Sequence, residues 1–169
     1  MSDLTKMTVV VKNYKDSEGE GLDRLYKRVR LEDPAGNTFY FKNVVVPKYL
    51  QGKGAFAHDV PRTWNFKNLD KNSIIIIAFE TKTGKVEYDL DDLQDIARST
   101  IFKGVVYGLG SIPAGVIVAT ATFGVGLLII PFGLWYGYRF VFKVPSMLSR
   151  KTLQNDLAGH GIGLGGSVT

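Results

Sequence analysis

The chain has no cysteine and only two histidines, His58 and His160. The lack of cysteine excludes disulfides, thiolate nucleophiles and cysteine metal sites. The two histidines are isolated from each other and from any serine nucleophile motif, which disfavours a hydrolase. The glycine-rich residues 104–126 lack the lysine that a Walker phosphate loop requires. We therefore predict no enzyme, no cofactor, no metal site and no small-molecule substrate.

Charge is missing from one long segment. No charged side chain occurs from Gly104 to Tyr138, although 22% of all residues are charged. As one helix these 35 residues would be about 50 Å long, whereas the hydrocarbon core of a bilayer is about 30 Å thick. A chain of 169 residues cannot easily surround an apolar segment of this length. The segment therefore predicts membrane insertion, with more chain than one straight span needs.

The apolar segment has an internal break at residues 120–126, where two threonines and two glycines favour departure from helical geometry. The break leaves two arms, residues 104–120 and 127–143, of about 25 Å each. Each arm contains one proline, which kinks a membrane helix without preventing insertion. We predict a transmembrane helical hairpin over 104–143. A single tilted span followed by an interfacial helix is the alternative.

Basic residues flank the hairpin, and the break between the arms carries no charge. By the positive-inside rule, both termini are expected on the cytoplasmic side of a cytoplasmic or inner membrane. Residues 101–169 have a net charge of +4, against +1 for residues 1–100, so the basic character points to orientation or anionic lipid. Residues 1–21 contain no apolar run long enough for the core of a secretory signal, so we expect insertion to rely on the internal hairpin. The predicted membrane-interface residues are Arg98, Lys103, Trp135, Tyr138, Arg139 and Lys143.

Glycines are spaced four residues apart in both arms. Gly104 and Gly108 form one such pair, and Gly133 and Gly137 form the other. This spacing lets helix backbones approach closely inside a bilayer. We predict that these four glycines pack helices together, either the two arms of one hairpin or neighbouring copies of the chain.

Residues 1–90 are predicted to be mostly β structure, with five strands. A first strand is followed by one hairpin across the turn residues Pro34 to Asn37, a connection with at most one short helix, and a second hairpin across Thr83 and Gly84. The predicted strands are Met7–Tyr14, Leu22–Asp33, Thr38–Val46, Ser73–Lys82 and Lys85–Leu90, and the connection is Val46–Asn72.

Five strands with a longer connection between the third and the fourth resemble, in count and spacing, an OB-like or SH3-like small barrel. This resemblance rests on no specific motif. The predicted fold class is thus an α+β membrane protein, with a small β-barrel-like cytosolic domain, an amphipathic helix and a transmembrane hairpin. The β domain is expected to fold alone.

The hydrophobic period changes at Leu90. Apolar residues then recur at helical spacing, which predicts an amphipathic connecting helix over 91–103. Acidic residues lie at its start and Arg98 near its end, as the helix dipole favours. The acidic residues are interpreted as helix-capping groups rather than as a cation site, because the glycine and glutamate of an EF-hand loop are missing. They are Asp89, Asp91, Asp92 and Asp95.

A basic face is predicted on the second strand, where Arg24, Tyr26, Arg28 and Arg30 alternate. With the aromatic residues 39–41 of the next strand, such a face could stack single-stranded nucleic acid. Nucleic acid is nevertheless disfavoured, because the domain carries a net charge of only +1. A docking face for an acidic protein or for lipid headgroups fits better.

The sequence therefore predicts four segments and one function. The favoured function is a membrane-anchored interaction or scaffold module that presents the β domain to a protein partner, or to further copies of itself, within a larger membrane assembly. The alternative is a membrane-active protein whose glycine-rich hairpins assemble into a pore or lesion. The segments are the β domain 1–90, the helix 91–103, the hairpin 104–143, and a basic juxtamembrane segment with a flexible glycine-rich tail, 144–169.

Overall fold

The computed structural model describes residues 4–19 and 21–162 and has an α+β architecture. The described residues divide into two compact units. The first, here called the sheet unit, comprises the chain up to Leu93 together with the chain from Leu153 onward. The second, the hairpin unit, comprises Gln94–Thr152. The sheet unit is therefore built from two stretches of chain that are separated by the whole hairpin unit.

Seven strands form one mixed sheet in the sheet unit. They are β1 (Leu4–Asn13), β2 (Asp16–Glu18), β3 (Asp23–Glu32), β4 (Thr38–Pro47), β5 (Pro61–Asp70), β6 (Ser73–Glu80) and β7 (Val86–Tyr88). The strand order is β1-β5-β6-β4-β3-β2, with β7 on β6 and an additional pairing of β1 with β3. Only the β4–β6 pairing is parallel among these.

Both predicted hairpins are present. Strands β3 and β4 pair antiparallel from Glu32 with Thr38 onward, and β6 pairs antiparallel with β7. The first turn is held by Asp33, whose carboxylate accepts hydrogen bonds from the backbone N–H groups of Ala35 and Asn37 at 2.9 and 2.8 Å. Gly36 takes a positive φ of 85° there, which glycine adopts without steric cost.

The predicted count of five strands is wrong, because β2 and β5 were missed. Strand β5 lies in the segment expected to be an irregular connection, together with the one short helix, α1 (Lys48–Gly52). Its sequence begins with proline and contains two asparagines and a lysine, which are poor strand formers. Pairing with β1 on one side and β6 on the other overrides that local preference.

The core of the sheet unit is formed by aliphatic and aromatic residues from several strands, among them Val29, Val44, Trp64 and Ile74, all at most 1% exposed. The helix α5 (Arg150–Gly159) begins in the last residues of the hairpin unit, and its Leu153 and Leu157 are fully buried members of the sheet unit. Sequence reasoning did not anticipate this helix. The predicted flexible tail began at Ala158, and this is wrong for its described part, because Ala158 and Gly159 belong to α5 and Ile162 is buried. The rest of that tail, beyond Ile162, lies outside the described residues.

The hairpin unit is helical. The helix α2 (Leu90–Ala121) starts where the hydrophobic period changes and continues through Pro113 without interruption. A break follows, as predicted within residues 120–126, and the chain returns through a 3-10 turn, α3 (Ile129–Tyr138), a π-helical turn and α4 (Val144–Met147). Two helical segments, Leu90–Ala121 and Val125–Met147, are long and apolar enough to cross a membrane.

Candidate functional site

The two arms of the hairpin pack through small residues. A Cβ added to Gly104 would lie 2.7 Å from Cβ of Phe140, and one added to Gly137 would lie 2.9 Å from both the Gly104 carbonyl oxygen and the Gly108 Cα. A Cβ at Gly133 would collide with Ser111. Glycine is therefore required at these positions for the observed backbone approach. The predicted glycine pairs lie between the arms of one hairpin.

Sequence reasoning missed three further members of this contact. Ser111 is buried and donates a 2.7 Å hydrogen bond to the Gly108 carbonyl oxygen. A Cβ at Gly115 would lie 2.6 Å from Ile130, and one at Gly126 would collide with the backbone of α2. The buried small residues of α2 follow spacings of four, three and four from Gly104 to Gly115. Alternating spacings of four and three place these residues on one face of a helix, so the sequence could have revealed them. The prediction considered only pairs of glycines four residues apart and therefore missed Ser111 and Gly115.

Large apolar side chains point away from the arm contact. Leu109, Ile117 and Phe132 are 62%, 69% and 70% exposed. An exposed apolar surface of this extent on a soluble protein would mark an interaction site or an aggregation hazard. The combination of small residues inside and large apolar residues outside is typical of helices that pack within lipid.

The turn between the arms satisfies much of its own backbone. The Gly124 and Leu127 N–H groups donate to the carbonyl oxygens of Ala119 and Gly124, both at 3.0 Å. The Thr122 hydroxyl donates to the Val118 carbonyl oxygen at 2.7 Å and accepts from the Gly126 N–H at 3.1 Å. A turn with these internal bonds depends less on water for its polar groups.

The predicted membrane-interface residues lie near the open end of the hairpin, away from the turn. Arg98, Lys103 and Lys143 are exposed, and Arg139 is half-buried. Trp135 and Tyr138 are exposed, and Tyr138 contacts the ring of Phe142. Their role at a lipid interface stays a prediction.

The predicted basic face is divided in the structure. Tyr26 is only 5% exposed and belongs to the core, so the expectation that it shares an outer face with Arg28 and Arg30 is wrong. Arg28 takes a positive φ of 52°, and this irregularity interrupts the alternation, so that Tyr26 and Val29, three residues apart, are both buried. Arg24 is half-buried on the Tyr26 side of this irregularity.

A different set of residues shares the outer surface of β3 and β4. Arg30 pairs across the strands with Tyr40, which is 70% exposed. The exposed Lys42 lies opposite the exposed Arg28, because Lys27 pairs with Asn43 on one side of them and Val29 pairs with Phe41 on the other. We call Arg28, Arg30, Tyr40 and Lys42 the outer basic face. Sequence reasoning missed Lys42, because strand register decides which lysine lies opposite Arg28.

Hydrogen bonds hold the first residues of α2 within the sheet unit. The Asp89 carboxylate caps α2, accepting from the N–H groups of Asp91 and Asp92 at 2.8 and 3.1 Å, which confirms the predicted capping role for this member of the acidic cluster. Asp92 in turn accepts from the Tyr49 N–H at the start of α1 at 3.0 Å, and Leu93 is fully buried.

A buried ion pair holds α5, the helix after the hairpin, to the sheet. The Lys67 side chain on β5 is only 1% exposed, and its Nζ lies 2.5 Å from Oδ2 of Asp156 on α5. A buried ammonium without a carboxylate partner is strongly unfavourable, so this ion pair couples the post-hairpin helix to the sheet. No sequence signal identified this pair, because buried lysines are rare and the partners lie far apart in the chain.

One polar cluster near the start of α2 has perturbed ionisation. The Tyr49 hydroxyl donates to Glu87 at 3.0 Å, and Lys85 Nζ lies 2.8 Å from the other Glu87 oxygen. The Lys85 bond, followed by the Tyr49 bond, lowers the pKa of Glu87. Burial, and next the bond to Glu87, raises the pKa of Tyr49. These contacts join α1 to β7.

The histidines are separate. His58 Nδ1 lies 2.7 Å from its exposed neighbour Asp59, and His160 Nδ1 lies 3.0 Å from the Asp156 carbonyl oxygen. Within residues 4–19 and 21–162, no group of three or more histidine, aspartate or glutamate side chains could hold a metal ion.

Comparisons with protein families, with curated protein sequences and with solved structures find no match to this chain.

Proposed function

We propose that this chain is a membrane-anchored interaction module, in which the hairpin inserts into a bilayer and the sheet unit is presented to a protein partner. The observation that carries this proposal is the composition of the sheet unit. It contains chain from before the hairpin and, through α5, chain from after it. One folded unit lies on one side of a membrane, so both ends of the hairpin return to the same side.

Charge supports the cytoplasmic side for the sheet unit. Lys103 precedes the first arm, and Arg139 and Lys143 follow the exposed apolar part of the second, whereas residues 120–126 of the turn contain none. Basic flanks are retained on the cytoplasmic side during insertion. The outward-facing apolar side chains of the hairpin supply the surface that lipid covers.

We further propose that the sheet closes into a small barrel of the OB-like or SH3-like kind. The pairings run from β1 through β5, β6, β4 and β3 and return to β1, which supports closure of five strands. Helix α1 lies in the connection between the third and fourth of these strands along the chain. Closure removes exposed strand edges, which suits a domain that presents side chains rather than edges to a partner.

The outer basic face is the proposed docking surface, for an acidic protein. Within residues 4–19 and 21–162, Arg28 and Arg30 have no carboxylate within ion-pair distance, whereas Lys6, Lys12 and Lys27 each do. Arg28 is exposed and Arg30 is half-buried, and cations without an internal carboxylate partner are available to an acidic surface and steer its approach. Tyr40 adds an exposed aromatic ring of the kind enriched at interfaces.

The topological part is tested with single cysteines, since the natural chain has none. Cysteines at the exposed positions Tyr40 and Asn155 lie before and after the hairpin. In sealed membrane vesicles, an impermeant maleimide should label both from the same side. Labelling of the two positions from opposite sides would show a single span and overturn the proposal.

The docking part is tested by charge reversal. Full-length protein carrying Arg28→Glu and Arg30→Glu should lose its co-purifying partner in mild detergent, while carbonate extraction shows unchanged membrane insertion. The matched control reverses the exposed Lys71 and Lys82, which lie in the sheet unit outside this face. Identical partner sets for wild type, test variant and control would remove the docking surface from the proposal.

No specific observation favours the pore alternative. A groove of about 890 Å³ runs along the hairpin, but its lining is dominated by apolar residues such as Val106, Ala114 and Phe132. The hydroxyls of Ser111, Thr120 and Thr122 donate to backbone carbonyl oxygens three or four residues earlier in the chain. Release of a trapped dye from liposomes by the full chain would revive this alternative.

A further inference from the structure

The far end of the hairpin carries an exposed aromatic ring on a strained backbone. Phe123 is 105% exposed and has a positive φ of 49°. A left-handed conformation is unfavourable for a bulky residue and persists only where the surrounding structure enforces it. Here it directs a phenyl ring away from the protein. Water would be an unfavourable surrounding for that ring, and hydrocarbon a favourable one.

The turn around Phe123 suits a medium without water. The N–H groups of Thr122, Gly124 and Val125 donate to nearby carbonyl oxygens at 3.3, 3.0 and 3.2 Å. The Thr122 and Thr120 hydroxyls also donate to backbone carbonyl oxygens of the preceding turn. Irregular backbone can lie at membrane depth when its polar groups are satisfied internally. Residues 120–126 contain no charged side chain that would hold them at an aqueous boundary.

The contacts between the arms fix which residues lie at the same depth. Five contacts align the arms from the open end to the turn, and they join Gly104 to Phe140, Gly108 to Gly137, Ser111 to Gly133, Gly115 to Ile130 and Ala119 to Gly126. By this alignment Arg139 lies close to the level of Val105. The rings of Tyr107 and Tyr136 are in edge contact, 6.2 Å apart, slightly deeper in the hairpin.

Depth can then be compared with bilayer thickness. From the level of Val105 to Phe123 at the tip, this arm is at most about 27 Å long at 1.5 Å per residue, and from Tyr107 it is at most about 24 Å long. Arginine and tyrosine favour the interface, and the hydrocarbon core is about 30 Å thick. Although α2 as a whole exceeds the bilayer, the part beyond these interface residues falls several ångströms short of the opposite boundary.

We infer that the hairpin is monotopic: it enters and leaves through one face of the membrane, and its tip around Phe123 is buried among lipid acyl chains without reaching water on the far side. This inference rests on the proposed membrane anchoring and adds the surface that the tip contacts. The occupant of the tip surface is hydrocarbon, because the tip offers neither charge nor a free hydroxyl donor to a polar partner.

The experiment uses the full chain reconstituted in phosphatidylcholine and phosphatidylglycerol vesicles. Single cysteines replace Phe123 or, because a change at a strained position could disturb the turn, the exposed Val125. Each carries a small fluorophore attached before reconstitution. Bromine atoms on the lipid acyl chains should quench both probes, while iodide added outside or trapped inside should not. The Tyr40→Cys control should respond in the opposite way.

The outcomes distinguish failure of the proposed membrane anchoring from failure of the monotopic inference. Quenching of the tip probes by iodide from the face opposite the Tyr40→Cys control would show a spanning hairpin and overturn this inference alone. Release of the protein by carbonate, with no quenching by brominated lipid, would overturn the proposed anchoring and this inference together. Quenching by brominated lipid in carbonate-resistant protein, without iodide quenching from either side, supports both.

Discussion

The two units of this protein bury different kinds of side chain. In the sheet unit, Val29, Ile74 and Phe79 are fully buried, and the charged residues are mainly at the surface. In the hairpin unit, glycine and Ser111 are buried between the arms, and Leu109 and Phe132 are largely exposed. This difference is the one expected if the sheet unit lies in water and the hairpin unit in lipid, as proposed above, because burial of apolar area drives folding only where the surroundings are water.

Each unit also buries a polar side chain that has a hydrogen-bond or ion-pair partner. The buried Lys67 of the sheet unit is paired with Asp156 from the helix that follows the hairpin. The buried Ser111 of the hairpin unit donates its hydroxyl to its own helix. In both units a buried polar group has a partner, but in the sheet unit that partner is more than eighty residues away in sequence. Stability of the sheet unit therefore depends on chain that follows the hairpin.

Of the changes considered, removing the chain after residue 93 should have the largest effect on the stability of the sheet unit. A fragment ending there keeps every strand but loses Leu153, Leu157 and Asp156. Loss of a buried charge partner costs about 3–5 kcal/mol, and each lost leucine adds about 1.5–3 kcal/mol. Since small domains are stable by about 5–15 kcal/mol, we expect a largely unfolded far-ultraviolet circular dichroism spectrum. This expectation replaces the sequence-based one that the β domain folds alone.

The matched control removes the hairpin and keeps α5. Gln94 Nε2 lies 3.3 Å from the Leu148 carbonyl oxygen, so a short glycine-serine linker can join these positions. This protein should be soluble without detergent and show cooperative thermal unfolding. A fragment ending at residue 93 that melted as cooperatively as the linked protein would show that α5 is not part of the folded unit.

Breaking the buried ion pair in the full chain should have the next largest effect. Asp156→Ala leaves the Lys67 ammonium buried without its carboxylate and should destabilise the sheet unit by about 3–5 kcal/mol. Combining Asp156→Leu with Lys67→Met removes both charges and should recover most of that loss. Denaturant unfolding of the sheet unit, followed by tryptophan fluorescence from Trp64, measures both. Equal losses in the two variants would indicate a packing defect at α5 rather than an unpaired charge.

Substitution of the buried glycines tests the close packing of the two arms in the hairpin unit. Gly137→Ala places a methyl group 2.9 Å from two backbone atoms of the facing arm and should destabilise the arm contact by about 1–3 kcal/mol. Gly110→Ala, on the same hairpin where no atom lies within 4 Å, is the control and should be nearly neutral. The distance between spin labels on the two arms, measured in detergent, reports the separation. A similar change for both variants would argue against close backbone packing.

The smallest expected effect is a pH dependence confined to the sheet unit. The pKa of Glu87 is below its ordinary value of 4.5, mainly through the bond from Lys85. Its stabilising contribution is therefore complete above about pH 4.5 and is lost as the pH falls through the lower folded value. Glu87→Gln should be less stable than wild type at neutral pH, and this difference should shrink below pH 4.5. Thermal unfolding at several pH values tests this, and a constant difference would contradict it.

Sequence reasoning succeeded where the interaction that fixes a structure is local. The two helical arms, the break between them at residues 120–126 and the start of α2 after Asp89 are all present as predicted. The turn between β3 and β4 follows in the same way from Asp33 and Gly36. In these places a few neighbouring residues determine the backbone, and no distant partner is needed.

Sequence reasoning failed where a residue's environment depends on a distant strand or helix. Strand β5 has weak intrinsic propensity, and its pairing with β1 and β6 determines it. The irregularity at Arg28 moves Tyr26 into the core and leaves the outer basic face with a different membership. A single register change reverses which side chains face outward, and alternation in the sequence cannot reveal it.

The sequence by itself determined that this chain contains an apolar hairpin beside a β-rich region, because hydrophobicity and charge are properties of each residue. Tertiary structure alone decided that the region after the hairpin belongs to the sheet unit. Lys67 and Asp156 carry no local mark of their pairing, and their attraction becomes strong only when folding removes both from water. The same holds for Gly137, whose importance arises from the backbone of the facing arm at 2.9 Å and not from its own chemistry.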